Sequence, residues 1–295
     1  HRNLERESPQ GGQQVAYTTL EDFFGDIVGK ARRGQGISES GLADATGLTA
    51  SEIARIESYE LTPDEAAIGR LAAALGLNAD KLASVAQGWV PEAANACLTT
   101  DDLSVERLIL DMGGMKVNCY LLICQATREA AVVDPGTEGL RILEAIGRLG
   151  PKVTHILVTH GHGDHVGALR EVSEVTGAKV FCGGGDAGML AGHGAEAAET
   201  VADGWTTAMG GLEVRALALP GHTPGGTAFA TDQGVFSGDA LFAGSLGGAT
   251  GESYAAQIQA VRSKVLSLSE EVWIFPGHGP ITTVGDERRH NPFIV

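Results

Sequence analysis

Positive charge is scarce in this chain: 21 Lys and Arg residues stand against 37 Asp and Glu residues, and the formal net charge is −16. Non-specific binding to nucleic acid or to a membrane surface requires a basic surface, so the composition argues against both as the main function. No apolar run reaches the roughly 20 residues that cross a bilayer, and the polar beginning of the sequence is no secretory signal. We therefore expect a cytoplasmic protein that does not bind membranes.

Cysteine is also rare, and its four copies show no pattern of a disulfide framework or of a thiolate metal site. None of them belongs to a CxxC pair, and two fall inside an apolar, strand-like run between Val117 and Cys124. The sequence therefore predicts free thiols in a reducing compartment.

Glycine, by contrast, is abundant at 42 residues, which predicts many tight turns and close approaches of the backbone. With 43% hydrophobic residues, the 295-residue chain can bury the core of one large domain and one small one. Residues 1–17 are polar and begin with His rather than Met, so we expect a disordered or tag-like segment there.

Apolar residues recur at helical spacing through residues 18–87, where five short helices are predicted. Thr49 and Glu52 have the spacing of a capping box, in which each side chain bonds the other's backbone N–H. Thr62 begins a second candidate box, with Pro63 at the first helical position, where its missing N–H costs nothing. These features predict a small all-α domain with a helix-turn-helix.

This region resembles the XRE/Cro-type helix-turn-helix family. The resemblance is carried by Gly41-Leu42-Ala43, Gly47-Leu48-Thr49, Ile53-Ala54-Arg55-Ile56-Glu57 and Leu71-Ala72-Ala73-Ala74-Leu75-Gly76-Leu77. It implies DNA binding, yet residues 1–90 hold 8 basic against 13 acidic residues, a net charge of −5. The expected recognition helix at residues 51–58 offers Arg55 as its only cation, a poor match to phosphates. DNA binding is therefore the less favoured role, and a homodimer contact or gating of an active site is equally compatible.

Periodicity is lost over residues 88–103, which contain Pro91 and are interpreted as a linker. From residue 104 to residue 295, short apolar runs rich in β-formers alternate with helical patterns. Strands mixed with helices predict an α+β domain in which helices cover sheets.

The segment Thr159-His160-Gly161-His162-Gly163-Asp164-His165 follows the apolar strand His155–Val158. Imidazole and carboxylate are ligands for zinc and other first-row metals, and the glycines let the backbone turn tightly enough for the rings to converge. Three histidines in one such loop predict a metal site.

Three later loops each place a ligand-type residue just past a strand end. They are Pro220-Gly221-His222-Thr223-Pro224-Gly225, Ser237-Gly238-Asp239 and Pro276-Gly277-His278-Gly279. Each alone is typical of an ordinary turn, but together and in this order they indicate one metal centre.

The set HxHxDH, His222, Asp239 and His278 resembles the metallo-β-lactamase superfamily, whose core is an αββα sandwich. By this resemblance, His160, His162 and His222 hold one metal ion. Asp164, His165 and His278 hold a second, and Asp239 bridges the two. Zinc, as one or two ions, is the expected metal, and the same ligands accept iron or manganese.

Within the superfamily the chain is similar to short, bacterial glyoxalase II-type thioesterases. The similarity is carried by Gly238-Asp239-Ala240-Leu241-Phe242, Pro276-Gly277-His278-Gly279-Pro280 and the tail Gly285-Asp286-Glu287-Arg288-Arg289-His290-Asn291-Pro292-Phe293. It implies hydrolysis of a small thioester or ester by metal-activated water, with Asp164 as a catalytic residue that orients the nucleophile or accepts its proton. The extra helical domain with which longer relatives grip glutathione has no counterpart after His278, so the thiol carrier stays open.

Three other functions remain compatible with the same residues. An iron persulfide dioxygenase would use His160, His222 and Asp239 alone, and a lactonase would use the whole ligand set. The third is a helix-turn-helix regulator in which the second domain senses a metabolite.

Overall fold

The computed structural model describes residues 16–195 and 197–295. The segment predicted to be disordered or tag-like thus lies outside the described residues, apart from Ala16 and Tyr17. Tyr17 is buried, and its backbone N–H donates a hydrogen bond to Asn95 Oδ1 over 2.8 Å. The chain is therefore already packed against the fold at residue 17.

In the part of the N-terminal domain that the structure describes, there are five helices. They are α1 (Phe24–Gly34), α2 (Glu39–Thr46), α3 (Ala50–Glu57), α4 (Glu65–Leu75) and α5 (Ala79–Ala86). The capping box predicted at Thr49 and Glu52 is present at the start of α3. The second predicted box is wrong: α4 begins at Glu65, because the carboxylate of Asp64 caps it by accepting from Ala67 N. A carboxylate at the N-cap also matches the positive end of the helix dipole.

Among the described residues that follow, thirteen strands form two sheets. The first sheet contains, in sequential order, β1 (Leu98–Thr99), β2 (Leu103–Met112), β3 (Met115–Cys124), β4 (Glu129–Val133), β5 (Lys152–Val158), β6 (Lys179–Gly183) and β7 (Glu199–Val201). The second contains β8 (Thr206–Met209), β9 (Leu212–Ala218), β10 (Thr227–Ala230), β11 (Gly234–Gly238), β12 (Trp273–Pro276) and β13 (Thr282–Thr283). Strand β1 lies inside the segment predicted as a linker, since pairing over two residues leaves no periodic pattern in the sequence.

Helices cover the outer faces of both sheets. They are α6 (Gly139–Leu149), α7 (Gly163–Val166), α8 (Leu169–Thr176), α9 (Ala187–Leu190), α10 (Glu252–Ala260) and α11 (Val284–His290). One core, centred on Tyr120, Phe229, Phe236 and Phe275, lies between the sheets. A second core joins the first sheet to α6 and α8. The α+β sandwich predicted from the sequence is confirmed.

A third core joins the N-terminal helices to the second sheet. Ile27, Leu71 and Leu82 of the helical domain belong to the same buried cluster as Leu219 and Ile274 of the sandwich. Burial of apolar surface is the main stabilising contribution to such a contact. The helical domain is therefore an outer layer of the sandwich rather than a tethered module.

In the described part of the chain, no helix is both long enough and apolar enough to cross a membrane. Its four cysteines are free thiols, as predicted, with Cys97 exposed and the other three buried.

Candidate metal centre

The seven predicted ligand residues meet at one edge of the sandwich. His160, His162, Asp164 and His165 follow β5 of the first sheet. The other three belong to the second sheet: His222 lies between β9 and β10, Asp239 follows β11, and His278 follows β12. Residues about 120 positions apart in sequence thus converge because strands from both sheets end at this edge.

His160, His162 and His222 form the first group, with ligand atoms that all lie within 4.8 Å of one another. His222 Nε2 is 3.0 Å from His162 Nδ1. His160 is buried, whereas His162 and His222 are partly exposed, so a small molecule can reach this group from solvent.

Asp164, His165 and His278 form the second group, which also fits within 4.8 Å. His278 Nε2 lies 3.2 Å from both Asp164 Oδ2 and His165 Nε2. This is the spacing of ligands around a common centre.

Asp239 stands between the two groups. Its Oδ2 lies 3.5 Å from His222 Nε2, 3.5 Å from His278 Nε2 and 3.9 Å from His160 Nε2, and its Oδ1 lies 3.3 Å from His165 Nε2. The geometry matches the bridging position that the family resemblance implies for this carboxylate.

Buried polar atoms without partners show that a cation fits here. Within the described residues, His160 Nε2 accepts or donates no hydrogen bond, and Asp239 Oδ1 makes no well-aligned one despite its proximity to His165. Burying such atoms unsatisfied costs roughly 1–3 kcal/mol each, so they are retained where a ligand satisfies them. A divalent ion in each group would do so.

The hydrogen bonds of two histidine rings also support a metal site. His278 Nδ1 donates to the carbonyl oxygen of Lys116 over 2.6 Å, and His222 Nδ1 donates to that of Gly248 over 2.9 Å. In the neutral form of each ring, which is the form that binds a metal ion, Nε2 therefore carries the lone pair and faces the centre.

The charged residues of the site shift one another's pKa values. Burial lowers the pKa of His160 well below its usual value, and the neighbouring His165 lowers it further, which favours the neutral ligand form. Burial raises the pKa of Asp239, but the charges of His165 and His278 outweigh it and hold that pKa well below the usual range. The site thus combines a neutral imidazole with an ionised carboxylate at neutral pH.

Asp134, which follows β4, positions two parts of the centre. It accepts hydrogen bonds from Thr159 N and Thr159 Oγ1, both over 2.7 Å, and its Oδ2 lies 3.0 Å from His165 Nδ1. This side chain therefore fixes both the start of the HxHxDH loop and the ring of His165.

Asp186 was missed by the sequence analysis. It is fully buried and accepts from Gly161 N over 3.0 Å, from Thr223 Oγ1 over 2.7 Å and from Gly225 N over 2.7 Å. It thus ties the loop of His160 to the loop of His222. An aspartate within a glycine run carries no signal of this role, because its partners are distant in sequence.

Asn118 was also missed. Its backbone N–H donates to Gly277 O over 2.7 Å, and its Nδ2 donates to Pro276 O and Gly279 O over 3.0 and 2.9 Å. It holds the loop that carries His278. Its position in the apolar run of β3 could have indicated a structural role, because a buried amide side chain requires hydrogen-bond partners.

The fold and the centre together define a class of protein. Its members are hydrolases that bind divalent metals and are built as a two-sheet sandwich covered by helices. The chain belongs to the metallo-beta-lactamase superfamily, whose family model matches residues 112–278. The model of a helix-turn-helix family matches residues 28–82.

Individual relatives agree with this assignment. Over 205 residues the chain is 32% identical to the hydroxyacylglutathione hydrolase GloC of Haemophilus influenzae, an alignment that covers 63% of this chain and 96% of GloC. The crystal structure of ETHE1 from Myxococcus xanthus is similar with a TM-score of 0.55 and 29% identity, over 63% of this chain and 83% of that one. The protein TTHA1623, solved in a di-iron-bound form, is similar with a TM-score of 0.53 and 33% identity, over 63% of this chain and 99% of that one.

Proposed function

We propose that this protein is a metal-dependent thioesterase that hydrolyses a small thioester, or a related ester, at a two-ion centre. The observation that carries the proposal is the pair of ligand groups that meet at Asp239. The similarity to GloC over nearly the whole of that enzyme supports a thioester as substrate.

His160, His162 and His222 would hold one ion, Asp164, His165 and His278 the other, and Asp239 both. Zinc is the first choice for this set of nitrogen and oxygen ligands, and iron or manganese fits the same donors. Because TTHA1623 was solved in a di-iron-bound form, iron is measured as well as zinc in the experiment below. Ions bound here would act as Lewis acids that activate water and polarise a carbonyl.

The chain's own residues supply orientation and proton handling. Burial raises the pKa of Asp164, but the hydrogen bond to His278 and the charge of His165 outweigh it and hold the pKa at about 2. Asp164 is therefore ionised at neutral pH, and because it is partly exposed it can orient the attacking water by accepting a hydrogen bond from it. A pKa this low makes it a weak proton acceptor, which favours the orienting role over that of a base. A thiolate leaves without protonation by a strong acid, so the site needs no separate general acid.

The proposal is tested by metal analysis and turnover on the same protein. Wild type, His222→Ala, His278→Ala and the control His193→Ala are purified, their metal content is measured, and hydrolysis of S-lactoylglutathione is assayed. We expect about two ions per chain in wild type and control, about one in each ligand variant, and a loss of kcat of at least about 100-fold in both.

Other results select other functions. One iron per chain, no hydrolysis, and oxygen uptake with glutathione persulfide would replace the thioesterase with a persulfide dioxygenase that uses His160, His222 and Asp239. Turnover of lactones without turnover of thioesters would indicate a lactonase. A protein that neither binds metal nor turns over any of these substrates after reconstitution would contradict an enzymatic function.

A further inference from the structure

A groove of about 570 Å³ opens at the edge of the sandwich opposite the metal centre. It lies between the first residues of β5 and β6 on one side and strand β8 of the second sheet on the other. The metal ligands follow the other end of β5, and a strand rises about 3.3 Å per residue. The seven residues of β5 therefore separate the groove from the metal centre by about 20 Å.

Three aromatic side chains line this groove. The ring centroids of His155 and Phe181 are 5.3 Å apart with nearly parallel planes, and those of Phe181 and Trp205 are 4.9 Å apart. Phe181 is buried, whereas His155 and Trp205 are partly exposed. The row of rings therefore offers an aromatic surface on which another flat ring can stack.

Two threonines hold the ring of His155 in place. Its Nδ1 lies 2.8 Å from Thr154 Oγ1, and its Nε2 lies 3.4 Å from Thr207 Oγ1. A neutral imidazole has one donor and one acceptor nitrogen, and a hydroxyl can serve either of them. Burial lowers the pKa of His155, which also favours the neutral ring. The aromatic surface is thus fixed and uncharged.

Two lysines stand at the rim of the groove, and one of them is already paired. Lys179 Nζ lies 3.1 Å from Glu199 Oε1. The nearest acidic neighbour of Lys152 along the sheet is Glu129, whose carboxylate accepts from Gly210 N over 2.8 Å. Within residues 16–195 and 197–295, the ammonium of Lys152 forms no ion pair or hydrogen bond, and the side chain is exposed. The rim therefore offers one uncommitted positive charge beside the aromatic surface.

We propose that this groove is a second binding site, which takes a small, flat aromatic molecule carrying one negative charge. The ring would stack on His155 and Trp205, and the anionic group would pair with Lys152. The volume lies in the range of small-molecule sites, roughly 300–1,000 Å³, and such sites combine apolar walls with a few polar groups. The inference is independent of the proposed thioesterase function, because the groove shares no residue with the metal centre.

The overall charge of the protein makes the proposal specific. A net charge of −16 repels small anions in general. Preference for an anion over its neutral analogue would therefore be a property of this groove and of Lys152.

The test uses three related probes on the full chain. They are 2-naphthalenesulfonate, the neutral methyl 2-naphthyl sulfone, and decahydronaphthalene-2-sulfonate, which keeps the charge but has no flat ring. The chain has three tryptophans, so its indole N–H groups give three signals in a spectrum of ¹⁵N-labelled protein. The signal that disappears in Trp205→Phe belongs to Trp205, and its shift during titration gives Kd at this place in the molecule.

In wild type we expect 2-naphthalenesulfonate to shift the Trp205 signal saturably and to leave that of Trp89 in place. The sulfone should bind about threefold more weakly, because an exposed ion pair contributes on that scale. The saturated sulfonate should bind at least about fivefold more weakly, since it cannot stack.

Three variants at lysines or their partners test the assigned charge. Lys152→Gln should give the sulfonate and the sulfone the same Kd, because the charge has then lost its partner. Glu199→Gln frees Lys179 and should tighten binding of the sulfonate about threefold without changing that of the sulfone. The control is Lys116→Gln, which removes an exposed lysine whose backbone carbonyl bonds to His278, and it should change neither Kd.

Several outcomes would overturn the inference. These are a Trp205 signal that no probe moves, equal affinity of wild type for the sulfonate and the sulfone, a preference for the anion that survives Lys152→Gln, and equal affinity for the flat and the saturated sulfonate. Binding that Lys116→Gln weakens would place the probe at the metal centre instead of in the groove.

Discussion

The carboxylate of Asp134 lies 3.0 Å from Nδ1 of His165 while it also accepts two hydrogen bonds from Thr159. A carboxylate behind a ligand histidine fixes the ring and raises its basicity toward a metal ion. Asp134 also has a φ of 52°, a left-handed conformation that Asn adopts about as readily as Asp.

Asp134→Asn therefore keeps the backbone and the volume but weakens the support of His165. We expect metal affinity of the second group and kcat/KM to fall about 10- to 100-fold, with little change in folding. Metal content after dialysis against a weak chelator, together with steady-state kinetics, would measure this. Glu138→Gln is a matched control, because Glu138 has a similar φ of 50° but contacts no residue of the centre: its exposed carboxylate pairs with Arg141 and accepts from Asp111 N over 2.8 Å. Equal metal retention in the two variants would contradict the role given to Asp134.

Gln257 of helix α10 holds both ends of the loop that follows Asp239. Its Nε2 donates to Ala240 O over 3.1 Å and to Gly247 O over 3.0 Å, next to Asp239 and to the Gly248 carbonyl that orients His222. Gln257→Leu would leave both carbonyls buried without a donor, at a cost of about 1–3 kcal/mol in unfolding free energy.

Because this loop carries Asp239 and orients His222, its shift should lower kcat about tenfold or more and should make metal loss to a chelator faster. Gln257→Glu is the companion variant, since it keeps the shape but replaces the donor with an acceptor. Kinetics and thermal unfolding of the two variants would show either a loss in both, as expected, or an intact metal centre, which would refute the positioning role.

The seven candidate metal ligands, which the structure brings together, could be proposed from the sequence because each stands in or beside a glycine-containing loop that follows an apolar strand, a local pattern. Asp186 and Gln257 could not be predicted in this way. The partners of Asp186 lie in loops of both sheets, and only the packing of one sheet on the other brings them together. The partners of Gln257 lie 17 and 10 positions away in the loop after β11, whose path no local pattern reveals. The docking of the helical domain was missed for a similar reason, since the apolar positions of α1 and α4 predict a buried face without naming what covers it. The helix-turn-helix and the α+β sandwich themselves were both predicted.

Glu287 of helix α11 is fully buried and accepts from Thr282 Oγ1 over 2.8 Å, from Asn291 Nδ2 over 2.8 Å and from Gly244 N over 3.0 Å. Burial raises its pKa to about 7, although these three donors favour the charged form. The folded pKa then lies above the unfolded value, so ionisation stabilises the unfolded state more than the folded one. Glu287 therefore contributes stability below its unfolded pKa, and this contribution is lost as the pH rises to about 7.

Glu287→Gln removes this titration. We expect the unfolding free energy of the variant to be about 1–3 kcal/mol lower at acidic pH. The reason is that the amide NH2 group of Gln would face the donors that now bond to Glu287. The difference in unfolding free energy from wild type should shrink as the pH is raised from about 4.5 to about 7. Urea unfolding at several pH values measures that difference. A difference that is constant with pH would show that Glu287 is already ionised in the folded protein across this range.

The helical domain should bind DNA weakly, because its cations are engaged within the protein. Lys30 pairs with Asp22, Arg32 and Arg33 both pair with Glu57, Arg70 donates to Thr46 O, and Lys81 donates to Arg288 O. Within the described part of residues 1–90, Arg55 is the one Lys or Arg without such a contact.

Duplex affinity depends mainly on cations that neutralise phosphates, and one exposed arginine gives a very shallow salt dependence. Fluorescence anisotropy of the full chain with a random 30-base-pair duplex at 50 and 150 mM salt should therefore show no saturable binding at micromolar protein. The variant Glu57→Gln, which frees the exposed Arg33 on the neighbouring helix, should bind more tightly at the lower salt. Tight, salt-dependent binding by wild type that Arg55→Gln abolishes would instead establish the domain as a DNA-binding element.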